Sequence, residues 1–299
     1  MITATLGLAL LLAAPRGAAA PGEFAREVRV GTPVTEGNLT VFPLTLRGAA
    51  AGEDPLALDE ALRAGRLSVT EAGAGGDVNA LEVENRGDRP VVIVAGELLL
   101  GGKQDRIVGR SLVLAPRSRA RVPVFCVEHG RWSGGAAFES AHAMGHVELR
   151  KLALSGDQGK VWSEVARSNA RLGTQSRSDT YRAAARKLGG DAGPLARRIL
   201  DRLAAAPGVA GLAVAIDGEV VAVEWFGSPR IFAKLEQKLV ASYAAQALGS
   251  ARLASPPASP RASDVADFAA RAERGEGALR ERVEAAPGAP PVQHSYLKR

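Results

Sequence analysis

The chain has 299 residues, 46% of them hydrophobic and 23% charged, which is enough apolar content to bury a core and too much for wholesale disorder. Aromatics make up only 4%, so that core must rest on Val, Leu, Ile and Ala. The formal net charge is +6, but the arginines are scattered and aromatic interleaving is sparse, which excludes the stacked basic groove of a single-strand nucleic-acid binder and fits a small anionic ligand or a solvated basic surface.

Residues 6–14 form an apolar run of signal-peptide length, too short to span a bilayer, and small residues follow it. No Lys or Arg precedes the run. Pro21 disfavours cutting after Ala20, so residues 1–19 are expected to be a cleaved leader and the mature chain to be extracytoplasmic, periplasmic or secreted. No cysteine follows the leader to carry a lipid, and no later run is long and apolar enough to be transmembrane. Cys126 is the sole cysteine, so no internal disulfide can form.

Residues 27–46 alternate in two apolar runs around Glu36-Gly37-Asn38, a hairpin signal. Helical spacing over 55–62 predicts a short helix, and 67–73 and 80–87 predict two strands around a Gly-rich turn. The run 90–95 is apolar on both faces, as a central strand would be. Two further strands are expected over 106–114 and 119–128, joined by Pro116-Arg117-Ser118.

Beyond residue 150 the pattern turns helical, at 160–172, 179–188 and 193–206. A hairpin over 209–227 then turns on Asp217-Gly218, a pair favoured in type I′ turns. A helix over 229–248 carries Ile231, Leu235, Leu239 and Tyr243 on one stripe. The Pro/Ala/Ser-rich stretch 251–262 reads as a linker, before a last helix over 264–274 and a closing hairpin around Pro287-Gly288. The expected organisation is α+β: a β-rich part over 24–150, an α+β part over 151–250 that need not be a separate domain, and a helix plus hairpin over 263–299.

Chemistry concentrates in 96–132. Glu97 follows the buried strand, Gly101-Gly102 allows a turn or close approach to a ligand, and Lys103, Gln104 and Arg106 come next. On the later strand Val122, Val124, Cys126 and Glu128 share one face, and Arg131 and Trp132 follow. Two acids, three cations, an amide and an indole thus have the means to gather at strand ends over an apolar core. Lys103, Arg106 and Arg131 suit a phosphate or carboxylate, Arg by paired N–H bonds, with Gln104 beside them. Trp132 suits stacking on a base or sugar, and Glu97 and Glu128 are the acid–base candidates. The competing reading makes Glu97–Arg106 and Glu128–Arg131 structural ion pairs and Trp132 a core plug.

Gly101-Gly102-Lys103 is not a Walker A loop, because Glu97 and Gln104 stand where that motif needs Gly and Ser or Thr. His142 and His146, with Glu139, have helical spacing for metal ligands but lack an evident third ligand, so no metal is assigned. Cys126 reads as an inert core thiol. Arg117, Arg119 and Arg121 read as an exposed basic edge that discourages strand pairing.

Gly96-Glu97, Gly101, Lys103-Gln104-x-Arg106 and Pro123-Val124-x-Cys126-Val127-Glu128-x-Gly130-Arg131-Trp132 resemble the ARG and rhodanese-phosphatase-superfamily-associated protein domain, a domain of unknown function. Further matches run through Leu58-Asp59-Glu60-Ala61, Val161-Trp162, Ala215-Ile216-Asp217-Gly218 and Phe226, so the resemblance covers about residues 25–248, with His294 in the closing hairpin a further point. It implies a link to NAD and ADP-ribose metabolism, inferred from neighbouring genes, and a shared pocket at the central motif. Asp105 departs from the asparagine expected there. The expected function is binding, or binding and hydrolysis, of a nucleotide-like or phosphorylated small ligand such as an ADP-ribose or NAD-derived metabolite. The alternative is a non-catalytic exported binding module for a protein or cell-envelope polymer. No cofactor is assigned.

Overall fold

The computed structural model describes residues 22–48, 54–73, 75–250 and 259–299. The leader expected over 1–19 and most of the linker expected over 251–262 lie outside them.

The chain opens with a short helix α1 (Glu23–Glu27) and strands β1 (Val28–Val30), β2 (Val34–Glu36) and β3 (Leu39–Leu46). Next come β4 (Leu56–Ala57), α2 (Leu58–Arg63), β5 (Leu67–Glu71), β6 (Ala80–Asn85), β7 (Val91–Ile93), β8 (Glu97–Gly101), β9 (Arg106–Val108), β10 (Leu112–Leu114), β11 (Ser118–Cys126) and β12 (Phe138–Met144). Three helices follow, α3 (Val147–Ser155), α4 (Gln158–Leu172) and α5 (Arg182–Leu203), then the hairpin β13 (Val209–Ile216) and β14 (Glu219–Phe226). The long α6 (Pro229–Gly249), α7 (Ala262–Glu273), β15 (Ala278–Glu284) and β16 (Pro291–Lys298) complete an α+β fold.

Three hairpins far apart in sequence assemble one antiparallel sheet, in the order β1-β3-β13-β14-β16-β15, with β2 also paired to β3. Period-two alternation gives it two apolar faces. Leu39, Val41, Leu212 and Val214 face one core with α6, while Phe42, Leu44, Ala213 and Trp225 face a second core with α1 and α7. Asp217 and Gly218 both take positive φ in the β13–β14 turn, which is what a type I′ turn requires.

A six-stranded sheet, β12-β8-β9-β11-β6-β5, shares an apolar core with the small sheet β10-β7-β4. Among the described residues only β4 and β7 run parallel. Strand β7 is the middle of its sheet and buried on both faces: Val91 and Ile93 enter this core, while Val92 and Val94 enter the helical one. That bears out the central strand read from its doubly apolar run.

Three details differ from the sequence reading. The strand expected over 106–114 is two strands in two sheets. Its break falls at Gly109, whose N–H donates to Pro123 O while the following residues turn toward β7. The helices expected at 179–188 and 193–206 are one helix. Pro194 sits exposed inside it, where water can satisfy the freed carbonyl, and the buried stripe Ala184, Leu188, Ala192, Leu195, Ile199 runs through unbroken. Finally, β11 lies between β9 and β6 and is no edge. Arg119 and Arg121 are exposed on it but pair with Glu84 and Asp77, while Arg117 occupies the preceding turn at φ 52°.

Candidate functional site

The central motif folds into one linked cluster because its loop cannot stand away from the body. A side-chain carbon at Gly101 would come 2.7 Å from Ala137 O, and one at Gly102 would overlap the Phe138 ring. Gly101 and Gly102 also take φ of 122° and 49°, so glycine is required twice over. The loop 101–105 is then tied down by Arg131. Its Nη1 donates to Gly102 O and Ser133 O, each at 2.7 Å, and its Nη2 to Gly101 O at 3.2 Å. Nε and Nη2 also donate to Glu128 Oε2 at 2.9 and 2.6 Å, and the same oxygen accepts the Asp105 N–H at 3.1 Å.

Asp105 is 1% exposed and holds four donors. Its Oδ1 accepts from Gly101 N–H at 3.0 Å and Arg182 Nη2 at 2.8 Å; its Oδ2 accepts from Thr180 Oγ at 2.9 Å and Arg182 Nε at 3.1 Å. This acid is therefore faced by two cations, Arg182 at the start of α5 and Arg131, whose Nη2 lies 3.5 Å from Oδ1.

Arg106 is fully buried beneath the cluster. Its Nη1 donates to Gln104 O at 2.9 Å, Glu71 Oε2 stands 3.8 Å from Nη2, and the rings of Trp132 and Phe138 lie 5.7 and 6.0 Å from the guanidinium carbon. Gln104 is itself buried, donating from Nε2 to His129 O. Lys103 reaches the Gly75 carbonyl and lies 5.5 Å from the centre of the Trp132 ring, which is 46% exposed and so no core plug. Neighbouring Cys126 is buried; desolvation pushes its thiol up against the pull of Arg106, as suits an unreactive core cysteine.

Glu97 belongs elsewhere. It starts β8 where Gly101 ends it, and it pairs with Lys238 of α6 and not with Arg106. The Val94 N–H donates to its other oxygen at 2.8 Å. Lys238 Nζ also reaches Asp59 Oδ2 at 2.6 Å. Burial opposes charge on the ammonium, but Glu97 and Asp59 outweigh it and hold Lys238 above its usual range. Burial likewise opposes charge on Asp59, yet Lys238 brings it below its usual range, while burial lifts Glu97. Glu97 and Glu128, the two acid–base candidates, thus lie in separate networks, Glu97 with Lys238 and Glu128 with Arg131.

Three adjoining depressions connect these clusters. One, of about 470 Å³, is lined by Gly102, Asp105, Glu128, Arg131, Thr180 and Arg182. A second, of about 420 Å³, shares Asp105 and Arg182 and continues between β12 and α5 past Tyr181, Ala185 and Arg186. A third, of about 230 Å³, shares Tyr181, Ala185 and Gly189 and ends at His142, His146 and Lys238. Arg182, Ala185, Arg186 and Gly189 follow i, i+3, i+4, i+7, so a single face of α5 forms the wall.

His142 and His146 do not share a helix. His142 lies on β12 with its Nδ1 3.6 Å from Asp59, whereas His146 precedes α3. His146 Nε2 donates to Glu164 at 2.8 Å, and its Nδ1 is hydrogen-bonded to the Tyr181 hydroxyl at 2.6 Å. Burial pushes Glu164 up, but His146, Arg167 and Ser168 outweigh it and leave the carboxyl below its usual range. Burial also carries the Tyr181 phenol well above its usual range, so it remains a neutral donor.

The structure therefore gathers Lys103, Gln104, Arg106, Glu128, Arg131 and Trp132, and separates Glu97 from them. The sequence reading missed Arg182, Tyr181, Glu164 and Lys238. Lys238 did leave a signal: it falls on the buried stripe of α6, three residues after Leu235, where a cation needs a carboxylate partner. Among the described residues no helix is long and apolar enough to cross a membrane.

No curated protein and no solved structure matches this chain. A family model does match, over residues 27–287, and it is the one that the motif around Gly101, Arg106, Glu128 and Arg131 pointed to. The chain belongs to the family of the ARG and Rhodanese-Phosphatase-superfamily-associated Protein domain.

Proposed function

We propose that this protein binds a small phosphorylated, nucleotide-like ligand, of the ADP-ribose or NAD-derived class, in the groove between β12 and α5. The observation that carries this reading is the position of Arg182. It lines two of the three depressions, is oriented by Asp105 through Nε and Nη2, and has a side chain 38% exposed to the groove and solvent. An arginine fixed by a carboxylate on one side meets an anion with little loss of rotamer freedom. Arg182 also opens a 22-residue helix, whose N-terminal N–H groups favour negative charge, and Arg186 adds a second cation one turn along the same wall. Lys103, Gln104, Arg106 and Arg131 support the loop that shapes the groove, and Trp132 offers an exposed ring at its rim. Hydrolysis is the stronger form of the proposal; His146, Tyr181 and Lys238 at the far end are the groups it would use. An extracytoplasmic location is part of the reading and rests on the apolar leader.

One observation favours a second reading, in which the motif is structural and the protein is a non-catalytic binding module for a protein or cell-envelope polymer. Arg131 commits Nε, Nη1 and Nη2 to protein acceptors.

A thermal-shift panel of ADP-ribose, NAD, nucleotides and sugar phosphates separates the two. A ligand at a hundredfold its Kd adds about 2.7 kcal/mol, several degrees in Tm for a protein of this size. A shift that disappears in Arg182→Gln supports the groove reading; no shift across the panel supports the binding module.

A further inference from the structure

Far from the groove, the two ends of the described chain bring Glu23, Glu27 and His294 together. Glu23 and Glu27 stand four apart on α1, so their carboxylates leave the same side of the helix. His294, on β16, stacks flat on Trp225, with ring centres 4.1 Å apart and planes 4° from parallel. The imidazole is 2% exposed, and neither Nδ1 nor Nε2 has a hydrogen-bond partner. Buried polar nitrogens are almost always satisfied in folded proteins, so two on one ring call for an explanation.

The surroundings supply it. Nδ1 lies 3.6 Å from Glu23 Oε2, and Nε2 lies 3.6 Å from Glu27 Oε2. These separations are too long for hydrogen bonds. Either one is close to the edge of a tetrahedron, roughly 3.4 Å, around a cation with bonds of about 2.0–2.2 Å to nitrogen and oxygen, and a single cation uses one of them, since it takes only one of the two ring nitrogens. One ligand atom from each residue fits within 4.8 Å of the other two, the only such group of three among the described residues. Both carboxylates are already oriented from behind. Arg282 Nε donates to Glu23 Oε1 at 3.0 Å, and Trp225 Nε1–H donates to Glu27 Oε2 at 3.1 Å. Outer hydrogen bonds of this kind hold ligating groups in metal sites. A cavity of about 280 Å³, lined by Glu27, Trp225, Pro291 and His294, gives an ion a way in.

We propose that Glu23, Glu27 and His294 form a binding site for a first-row divalent cation of the Zn²⁺ class. One imidazole with two carboxylates is a mixed nitrogen and oxygen set that suits such ions. One ring nitrogen holds the cation together with one oxygen from each carboxylate, and three protein ligands leave a position for water. Bound there, the ion fastens α1 to the closing hairpin.

The test is calorimetric titration of ZnCl2 into the metal-stripped full chain and into Glu23→Gln/Glu27→Gln, which keeps the shape of both side chains. The expected result is one Zn²⁺ per chain, with affinity at least a hundredfold weaker in the double variant and unchanged in His142→Ala. No stoichiometric binding to the parent chain, or equal binding to the double variant, overturns the proposal. X-ray absorption on the Zn²⁺-loaded parent chain needs no variant. A single imidazole with oxygen ligands is expected, and sulfur from Cys126 or a second imidazole in the shell overturns the assignment.

Discussion

Arg182 grips Asp105 with a two-pronged ion pair, Nε to Oδ2 at 3.1 Å and Nη2 to Oδ1 at 2.8 Å. The carboxylate is buried and the guanidinium is not, so the pair joins the interior of the motif to the wall of the groove. Asp105→Asn keeps the shape but removes the charge that two donors of Arg182 were oriented on. A charged hydrogen bond is worth about 1.5–3 kcal/mol; solvent at Arg182 holds the expected loss to the lower end of that range. Denaturant unfolding of the variant measures it, and a loss below about 0.5 kcal/mol would show that Asp105 does not hold the arginine.

The ammonium of Lys238, shared by Glu97 and Asp59, makes a second quantitative test. Lys238→Met leaves the buried Glu97 and the partly buried Asp59 without their shared cation, and breaking a buried pair costs about 3–5 kcal/mol. Adding Glu97→Gln to Lys238→Met should recover part of that loss, because it removes the charge left uncompensated. A double-mutant cycle by urea unfolding checks it. Strictly additive losses would mean that the two side chains do not interact.

The Glu164 carboxyl is held below its ordinary value of 4.5. A depressed carboxyl binds fewer protons in the folded chain than in the unfolded one. Its contribution is therefore fully present above that ordinary value and is lost as pH falls through the lower, folded value. Glu164→Gln removes this dependence. The stability gap between parent and variant should close as the pH falls below 4.5. A gap that widens on acidification would contradict the His146–Glu164 assignment.

How much of this was legible in the sequence depended on the range of the interaction. Period-two runs and the Asp217-Gly218 turn identified the hairpins, because side-chain alternation and turn chemistry are local. The partnering of β3 with β13 was not legible, since no local pattern records which hairpin edge meets which. Pro194 misled for the converse reason: its breaking tendency is local, whereas the buried stripe from Ala184 to Ile199 that overrides it is a tertiary effect. In the site, Glu128 and Arg131 were readable as a pair because they are three residues apart on one loop. Arg182 and Lys238 were not, being 77 and 141 residues from Asp105 and Glu97.

The most direct test of the groove is calorimetric titration of ADP-ribose into the parent chain, Arg182→Gln and Trp132→Ala. The groove reading predicts saturable binding to the parent chain, weaker by tenfold or more in Arg182→Gln. It also predicts a smaller loss in Trp132→Ala, whose ring lies at the rim. Binding that is equally tight in Arg182→Gln would contradict the central claim, since the ligand would then be held without the one arginine that faces both depressions.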